Sequence, residues 1–375
     1  NKKIKSIKDK INNINFNKED YFLIQHIKIM LTKIQFWYFF FKENNIKIHI
    51  NAEESGLANI ARQLALKLYD GCSIGKIKSY PTNIREDYLG YFPNDICFAW
   101  GVESVNRLKN TNNCIKHYVI TGDPYPKIEV TKKIDFEKKI QKLKNNGKKY
   151  FIMILDSIYS YNKDLFWHFI YHEKMESFFK NFLQLQAENQ EIGLIIKSKK
   201  KDNLKNLGEV FKEIKGLNHK NECILIEENN ALTTHYSNQA DLIVSFSTYI
   251  QGALIQALVK DPNKRGLMFD DTNLSILEKK IYKYGKDKII FNNLNKMNTK
   301  ILDLIKNKNQ DSELGIWKNL NEHDPFGDYR GGQRIGMFIK TLLENFNKKF
   351  NSNESMLNSL KKYSSLYGEN KIYEK

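Results

Sequence analysis

Residues 240–258 read ADLIVSFSTYIQGALIQAL, and the stretch changes period halfway along. Ala240–Ser245 is a short apolar run, as expected of a strand buried on both faces of a sheet. From Tyr249 to Leu258 the apolar residues recur at helical spacing. Ser247 and Thr248 stand between them, where a helix needs side-chain oxygens to cap its first N–H groups. Strand, hydroxyl-rich turn and helix, in that order, form the repeating piece of a parallel α/β sheet.

The alternation extends in both directions. Upstream, Tyr150–Leu155 is a strand, Leu165–Gln186 a helix, Ile192–Ile196 a strand, Leu204–Ile214 a helix and Cys223–Ile226 a strand. Downstream, Gly266–Phe269 is a further strand. An earlier series runs through strands at Ile46–Ile50, Cys72–Ile77, Asp95–Trp100 and His117–Thr121, with a helix at Gly56–Tyr69. Thr131–Lys149 is Lys-rich without a strand pattern and reads as an inter-domain region. Two parallel α/β series in 375 residues predict two domains with a cleft between them. Residues 1–45 read as helical, and the polar tail after Asn347 as a loose terminal helix.

The aromatic share is high, with 23 Phe and 20 Tyr, and the densest cluster is Phe36–Phe41, FWYFFF. A packed helix is the favoured reading of that cluster, and a patch at a membrane interface the alternative. The formal net charge is +17, from 60 Lys and Arg against 43 Asp and Glu. Such a surface attracts polyanions. The basic residues are scattered, with no zinc-finger spacing, Arg-rich tail or RNA-binding aromatic signature. A solvated Lys-rich surface therefore comes first, attraction to anionic membrane second and specific nucleic-acid binding last. Four widely spaced cysteines without a CxxC argue against a zinc site or a disulfide framework. No apolar run spans a bilayer and no secretory signal is visible, so a cytoplasmic protein is expected, peripheral at the inner face of the membrane if it meets one. The first residue is Asn1 rather than Met, which leaves open a piece of a longer protein.

In open α/β sheets ligands bind beyond the carboxyl ends of the strands, so residues just after each strand are the site candidates. Ser245, Ser247 and Thr248 converge on a helix N-terminus, which suits a nucleotide phosphate as well as simple capping. Lys197, at a strand end, is the cation of the run KSKKK placed to meet that phosphate. Glu53 and Glu54, in IHINAEESG, follow a first-domain strand and offer a general base or a nucleophile, with no choice made between them. Asp123 and Asp156 each follow a strand and face the expected cleft, with turn formation and helix capping as the alternatives. His235 lies in the loop before Ala240 and is placed to contact a donor base or phosphate, or stands as an ordinary loop histidine.

His323–Gly336, HDPFGDYRGGQRIG, leads into a helix at Met337–Asn345. It resembles the DPFxDGxAxxRIGxYI ending of bacterial surface-carbohydrate biosynthesis proteins. Phe39–Ile50 (FFFKENNIKIHI), Gly71–Tyr80 (GCSIGKIKSY) and the ADLIVS block resemble the same group, so the likeness spans roughly residues 36–345. The Ala240–Leu258 stretch is similar to the donor site of GT-B glycosyltransferases, with Gln256 where many of these carry a Glu for the donor ribose. Lys197 resembles in position the Lys-Pro-His-Pro loop of CMP-sugar-using transferases, without the Pro and His. The resemblance extends to retaining β-Kdo transferases and sialyltransferase-like enzymes.

What the resemblance implies is an α/β protein of GT-B type, two Rossmann-like domains with parallel sheets facing a central cleft. Residues 1–130 would form the acceptor-side domain, 131–149 a linker, 150–320 the nucleotide-sugar domain and 321–375 a crossover helix and tail. Arg330 and Arg334 would clamp that crossing rather than face the donor. The implied enzyme transfers a sugar, Kdo or another acidic sugar from a CMP-linked donor, onto a surface polysaccharide or its lipid-linked precursor. No metal and no cofactor beyond the nucleotide-sugar substrate is expected. The rivals are a nucleotide-sugar epimerase of the same fold and a non-catalytic nucleotide- or polyanion-binding assembly protein.

Overall fold

A computed structural model of the chain describes residues 5, 6, 9, 21–51, 57–77, 92–111, 113–125, 133–157, 172–227, 232–246, 252–271, 285–307 and 313–375. The chain divides into two compact units, residues 1–126 with 322–375, and residues 127–321. The fold is α/β, of GT-B class, with a mainly parallel sheet in each unit.

In the first unit, strands β1 (Ile48–Asn51), β2 (Cys72–Lys76), β3 (Ile96–Ala99) and β4 (His117–Ile120) lie side by side in chain order, all parallel. Helix α1 (Tyr21–Glu43) packs on α2 (Leu57–Leu68), where Ile24, Leu31, Ile34 and Phe41 bury against Ala61, Ala65 and Leu66. The two alanines let the helices approach closely. Helix α3 (Val102–Lys109) joins β3 to β4. Right-handed crossovers between strands taken in order put their helices on one face of a sheet, so the other face needs a cover from elsewhere in the chain. The C-terminal segment supplies it. Phe338 and Leu342, then Met356, Leu360 and Tyr363, bury against Ile74, Ile96, Phe98 and Val119.

The last of those residues belong to the tail expected to be loose. The expected terminal helix is present at Ser352–Tyr367, but packed on the sheet rather than loose, and it is opened by a capping box in which Asn351 Oδ1 accepts from Glu354 N at 2.9 Å and Glu354 Oε2 from Asn351 N at 3.2 Å. The Tyr363 hydroxyl donates to Ile120 O at 2.7 Å. A final strand, Ile372–Glu374, pairs antiparallel with β4 and covers that edge of the sheet.

In the second unit, β5 (Tyr150–Leu155), β6 (Ile192–Lys197), β7 (Cys223–Ile226), β8 (Leu242–Phe246), β9 (Arg265–Phe269) and β10 (Ile290–Phe291) form one parallel sheet. Their order is β10-β9-β8-β5-β6-β7. Counted within the unit this is the 3-2-1-4-5-6 order of a dinucleotide-binding fold, and the direction of winding reverses between β5 and β8. Residues 131–149, expected between the domains, carry a helix at Lys133–Asn145 that belongs to this unit and buries Phe136, Ile140 and Leu143. Its Lys-rich face hid an apolar stripe at helical spacing. The helix expected at Leu204–Ile214 divides into a 3-10 turn, Asn203–Leu207, and a helix, Glu209–His219. Gly208 separates them at φ +56°, a conformation that breaks helical hydrogen bonding.

Candidate active site

Where winding reverses, the loops after two neighbouring strands turn to opposite faces and open a crevice. Among the described strands this happens only between β5 and β8. Asp156 and Ser157 follow β5 directly, in line with Ser198 after β6 through the bond from Asp156 N to Lys197 O at 3.0 Å.

Asp156 is buried, and its Oδ2 is held by three donors. Asn203 Nδ2 lies at 2.6 Å, the backbone N of Lys199 at 3.2 Å and the Ser198 hydroxyl at 3.3 Å. Asn203 Nδ2 also reaches Ser157 O at 3.1 Å, so the 3-10 turn ties the two strand-end loops together. Asp156 Oδ1 is equally buried and has no hydrogen-bond partner among the described residues, and neither has the Ser157 hydroxyl. Buried polar atoms without partners are rare in folded proteins, and at a strand-end crevice they mark places for a polar ligand group. Burial pushes the Asp156 carboxyl up to about 6, with the Asn203, Lys199, Ser157 and Ser198 hydrogen bonds pulling the other way. A carboxyl so poised exchanges a proton near neutral pH, as a general acid or base must.

The other residues singled out from sequence fare differently. Lys197 is the last residue of β6, buried, and its ammonium donates to Ser198 O at 2.6 Å, so the residue first beyond the strand is Ser198. The Ser245 hydroxyl donates to Leu267 O at 3.3 Å on the neighbouring strand, which spends it on the sheet. His235 sits in a 3-10 turn with both ring nitrogens buried and, among the described residues, without a hydrogen-bond partner, and burial lowers its pKa. Gln256 is buried in the helix Gly252–Lys260. Asp270 and Asp271 follow β9 as a loop, and Asp271 pairs with Lys174 at 3.0 Å. Glu53, Glu54, Ser247 and Thr248 lie outside the described residues. Ser198, Lys199 and Asn203 escaped the sequence reading. Ser198 follows the same strand-end rule as Asp156, but β6 is buried on both faces and no alternation marks where it stops.

A further pocket of about 430 Å³ lies between Lys138 and Lys142, the end of β7 and Tyr236. It lies at the edge strand, and Asp156 is not among its walls. Among the described residues no three His, Cys, Asp or Glu side chains are grouped to hold a metal ion.

Asp123, a candidate for catalysis, is a turn former in the first unit. Its Oδ1 accepts from Tyr125 N at 3.0 Å, and its own N–H donates to Asp324 Oδ2 at 3.0 Å. Asp324 Oδ1 accepts in turn from the N–H groups of Phe326 and Gly327. Arg334 closes the arrangement. Its guanidinium lies 3.5 Å over the Phe326 ring, donates to Thr121 O at 3.1 Å and forks onto Asp328. The motif therefore binds the C-terminal segment to the loop after β4. Arg330, beside it, is exposed. Arg334→Ala should lower stability by about 2–3 kcal/mol, since it removes a buried cation and its ring contact while Asp328 keeps some solvent. Urea midpoints of the two proteins measure this.

No family model matches the chain. No curated protein matches it in sequence either. Solved structures do match in fold. The S. aureus MnaA–UDP complex superposes with a TM-score of 0.50 at 14% identity, over 88% of this chain and 84% of that one. A Listeria monocytogenes protein described as a UDP-N-acetylglucosamine 2-epimerase gives a TM-score of 0.51 at 14% identity, over 85% of this chain and 80% of that one.

Proposed function

We propose that the chain is a sugar-nucleotide-dependent glycosyltransferase whose second unit holds the donor at the carboxyl ends of β5, β6 and β8. The observation that carries this is Asp156, a buried carboxyl with one oxygen unpartnered among the described residues, at the reversal point of a 3-2-1-4-5-6 sheet. Asp156 and Ser157 would receive donor hydroxyls. Ser247, Thr248 and Lys197 would meet the phosphate, together with the N-terminus of the following helix. Glu53 or Glu54 would act on the sugar or the acceptor hydroxyl. Protein cations and a helix terminus would take the part that a metal plays in other transferases, so no metal is required. The motif likeness to surface-carbohydrate proteins supports a polysaccharide or lipid-linked glycan as acceptor.

The donor nucleotide has two supports that differ. The motif likeness favours a CMP-linked acidic sugar such as Kdo, whereas one fold relative is a complex with UDP and the other is named for a UDP-sugar. The Listeria name also keeps the epimerase reading in play. A thermal-shift screen of CMP-, UDP-, GDP- and dTDP-linked sugars separates these readings. The true donor class, at about 100 times its dissociation constant, should add about 2.7 kcal/mol and the others little. Incubation with the winning donor then gives a new sugar isomer for an epimerase and transfer to a glycan for a transferase. No shift with any of the four sinks the nucleotide-sugar reading. Full turnover by both Glu53→Gln and Glu54→Gln would remove the first-domain carboxylates from the mechanism.

A further inference from the structure

Helix α1 buries one face on α2 and turns a second apolar face outward. Phe22, Ile29 and Phe36 are seven residues apart, and Phe40 follows one turn after Phe36, so the four side chains share one line along the helix. All four are exposed: Phe22 by 73%, Ile29 by 52%, Phe36 by 62% and Phe40 by 40%. Tyr21 and Phe39 border the same line and are exposed as well. The helix cannot roll to hide them, because Ile24, Leu31, Ile34 and Phe41 already hold its other side in the core. The aromatic cluster read from sequence as core is therefore divided, with Phe41 inside and Phe36, Phe39 and Phe40 outside.

The charges on the helix are one-sided. Lys28, Lys33 and Lys42 are exposed, against Glu43 as the sole carboxylate of α1. Lys33 stands on the line itself, one turn from both Ile29 and Phe36, and Lys28 lies to one side. An apolar line that carries lysines lies flat in a bilayer interface, with rings among the acyl chains and the long lysine stems reaching out to anionic headgroups. No described helix is long and apolar enough to cross a membrane, so the contact is with the surface. A second copy suits the face less well, since two-fold pairing sets the lysine-bearing line against itself. We infer that the outward face of α1, Phe22–Ile29–Phe36–Phe40 with Lys28 and Lys33, seats the protein on the surface of an anionic lipid bilayer. This inference does not rest on the nucleotide-sugar reading.

Vesicle flotation of the full chain tests it, with phosphatidylcholine vesicles against vesicles that also contain phosphatidylglycerol. The protein should float with the anionic vesicles at low salt, less as salt rises, and not with the neutral ones. Phe22→Ser, Ile29→Ser, Phe36→Ser and Phe40→Ser together should cut binding about tenfold or more while the unfolding midpoint stays unchanged, because none of the four is in the core. Lys28→Glu with Lys33→Glu should abolish the preference for the anionic vesicles. Equal binding by the serine variant, equal binding to both vesicle types, or no binding overturns the inference. So does a vesicle-free dimer, seen by light scattering, that the serine variant breaks, since it would assign the face to a second copy.

Discussion

Gly331→Ala should destabilise the first unit by about 3–5 kcal/mol. Gly331 opens the helix Gly331–Asn347, and there alanine normally gains about 1 kcal/mol over glycine from propensity alone. Position reverses the sign. A Cβ at Gly331 would stand 2.3 Å from Asp123 O, 2.6 Å from Asp123 C and 2.8 Å from Gly122 O. These are backbone atoms and cannot rotate away. The helix must then retreat from the loop after β4, and Phe338 and Leu342 further along it leave the sheet face that they fill. Gly336→Ala on the same helix is the control. Nothing lies within 4 Å of its Cβ, so it should be neutral or slightly stabilising. Denaturant midpoints of the pair decide the matter, and similar values for the two would mean that the close approach does not control stability.

Asp156→Asn should reduce turnover of the proposed substrate by about 100-fold or more and raise stability at the same time. The carboxyl titrates at about 6 in the folded chain against 3.8 for a free one. A folded pKa raised in this way stabilises the protein fully below the free value, and that contribution is lost as pH rises through about 6. Above pH 6 the buried charge costs about 3 kcal/mol. Asparagine keeps an oxygen for the Lys199, Asn203 and Ser198 donors and has no charge to bury. The variant should therefore gain about 2 kcal/mol at pH 8 and nothing near pH 4. His323 titrates in the opposite sense. Burial, aided by Arg107, pushes it down to about 3, so its contribution is full above pH 6.5 and falls away in acid. It acts on both proteins alike and cancels in the difference. Urea unfolding across that pH range, with turnover measured on the donor that binds, checks both halves. A variant that kept its activity would take Asp156 out of the donor site, and one that lost stability at pH 8 would contradict the buried charge.

Nine of the strands were legible because each is a short apolar run closed by turn residues, and burial on both faces leaves such a run no other structure. The strand Ile290–Phe291 is too short for a pattern to show. The strand Ile372–Glu374 pairs with residues some 250 positions earlier, which no local reading finds. The C-terminal helix was misjudged on composition. Met356, Leu360, Tyr363 and Tyr367 do recur at helical spacing, but among so many Ser, Asn and Lys they look like accidents until the bare sheet face is known.

At the candidate site, Asp156 could be named from its place after a strand. Its environment could not. The three donors on Oδ2 come from a segment more than 40 residues downstream, and the burial of Oδ1, unpartnered among the described residues, is likewise a product of packing. Lys197 and Ser245 passed the same strand-end test, yet the Lys197 ammonium turns to the carbonyl of the next residue, Ser198, and the Ser245 hydroxyl to Leu267 O on the neighbouring strand. The sequence by itself determined the α/β class, the two series of strands and the outlook of the strand-end residues, because periodicity and turn chemistry are local properties. Tertiary structure alone decided the order of the strands, and with it the reversal between β5 and β8. It also decided which carboxyl is desolvated, and which face of α1 stays in water. Those outcomes depend on what packs against each residue from distant parts of the chain, where burial and pairing, rather than residue type, set the free energy of a charge or a ring.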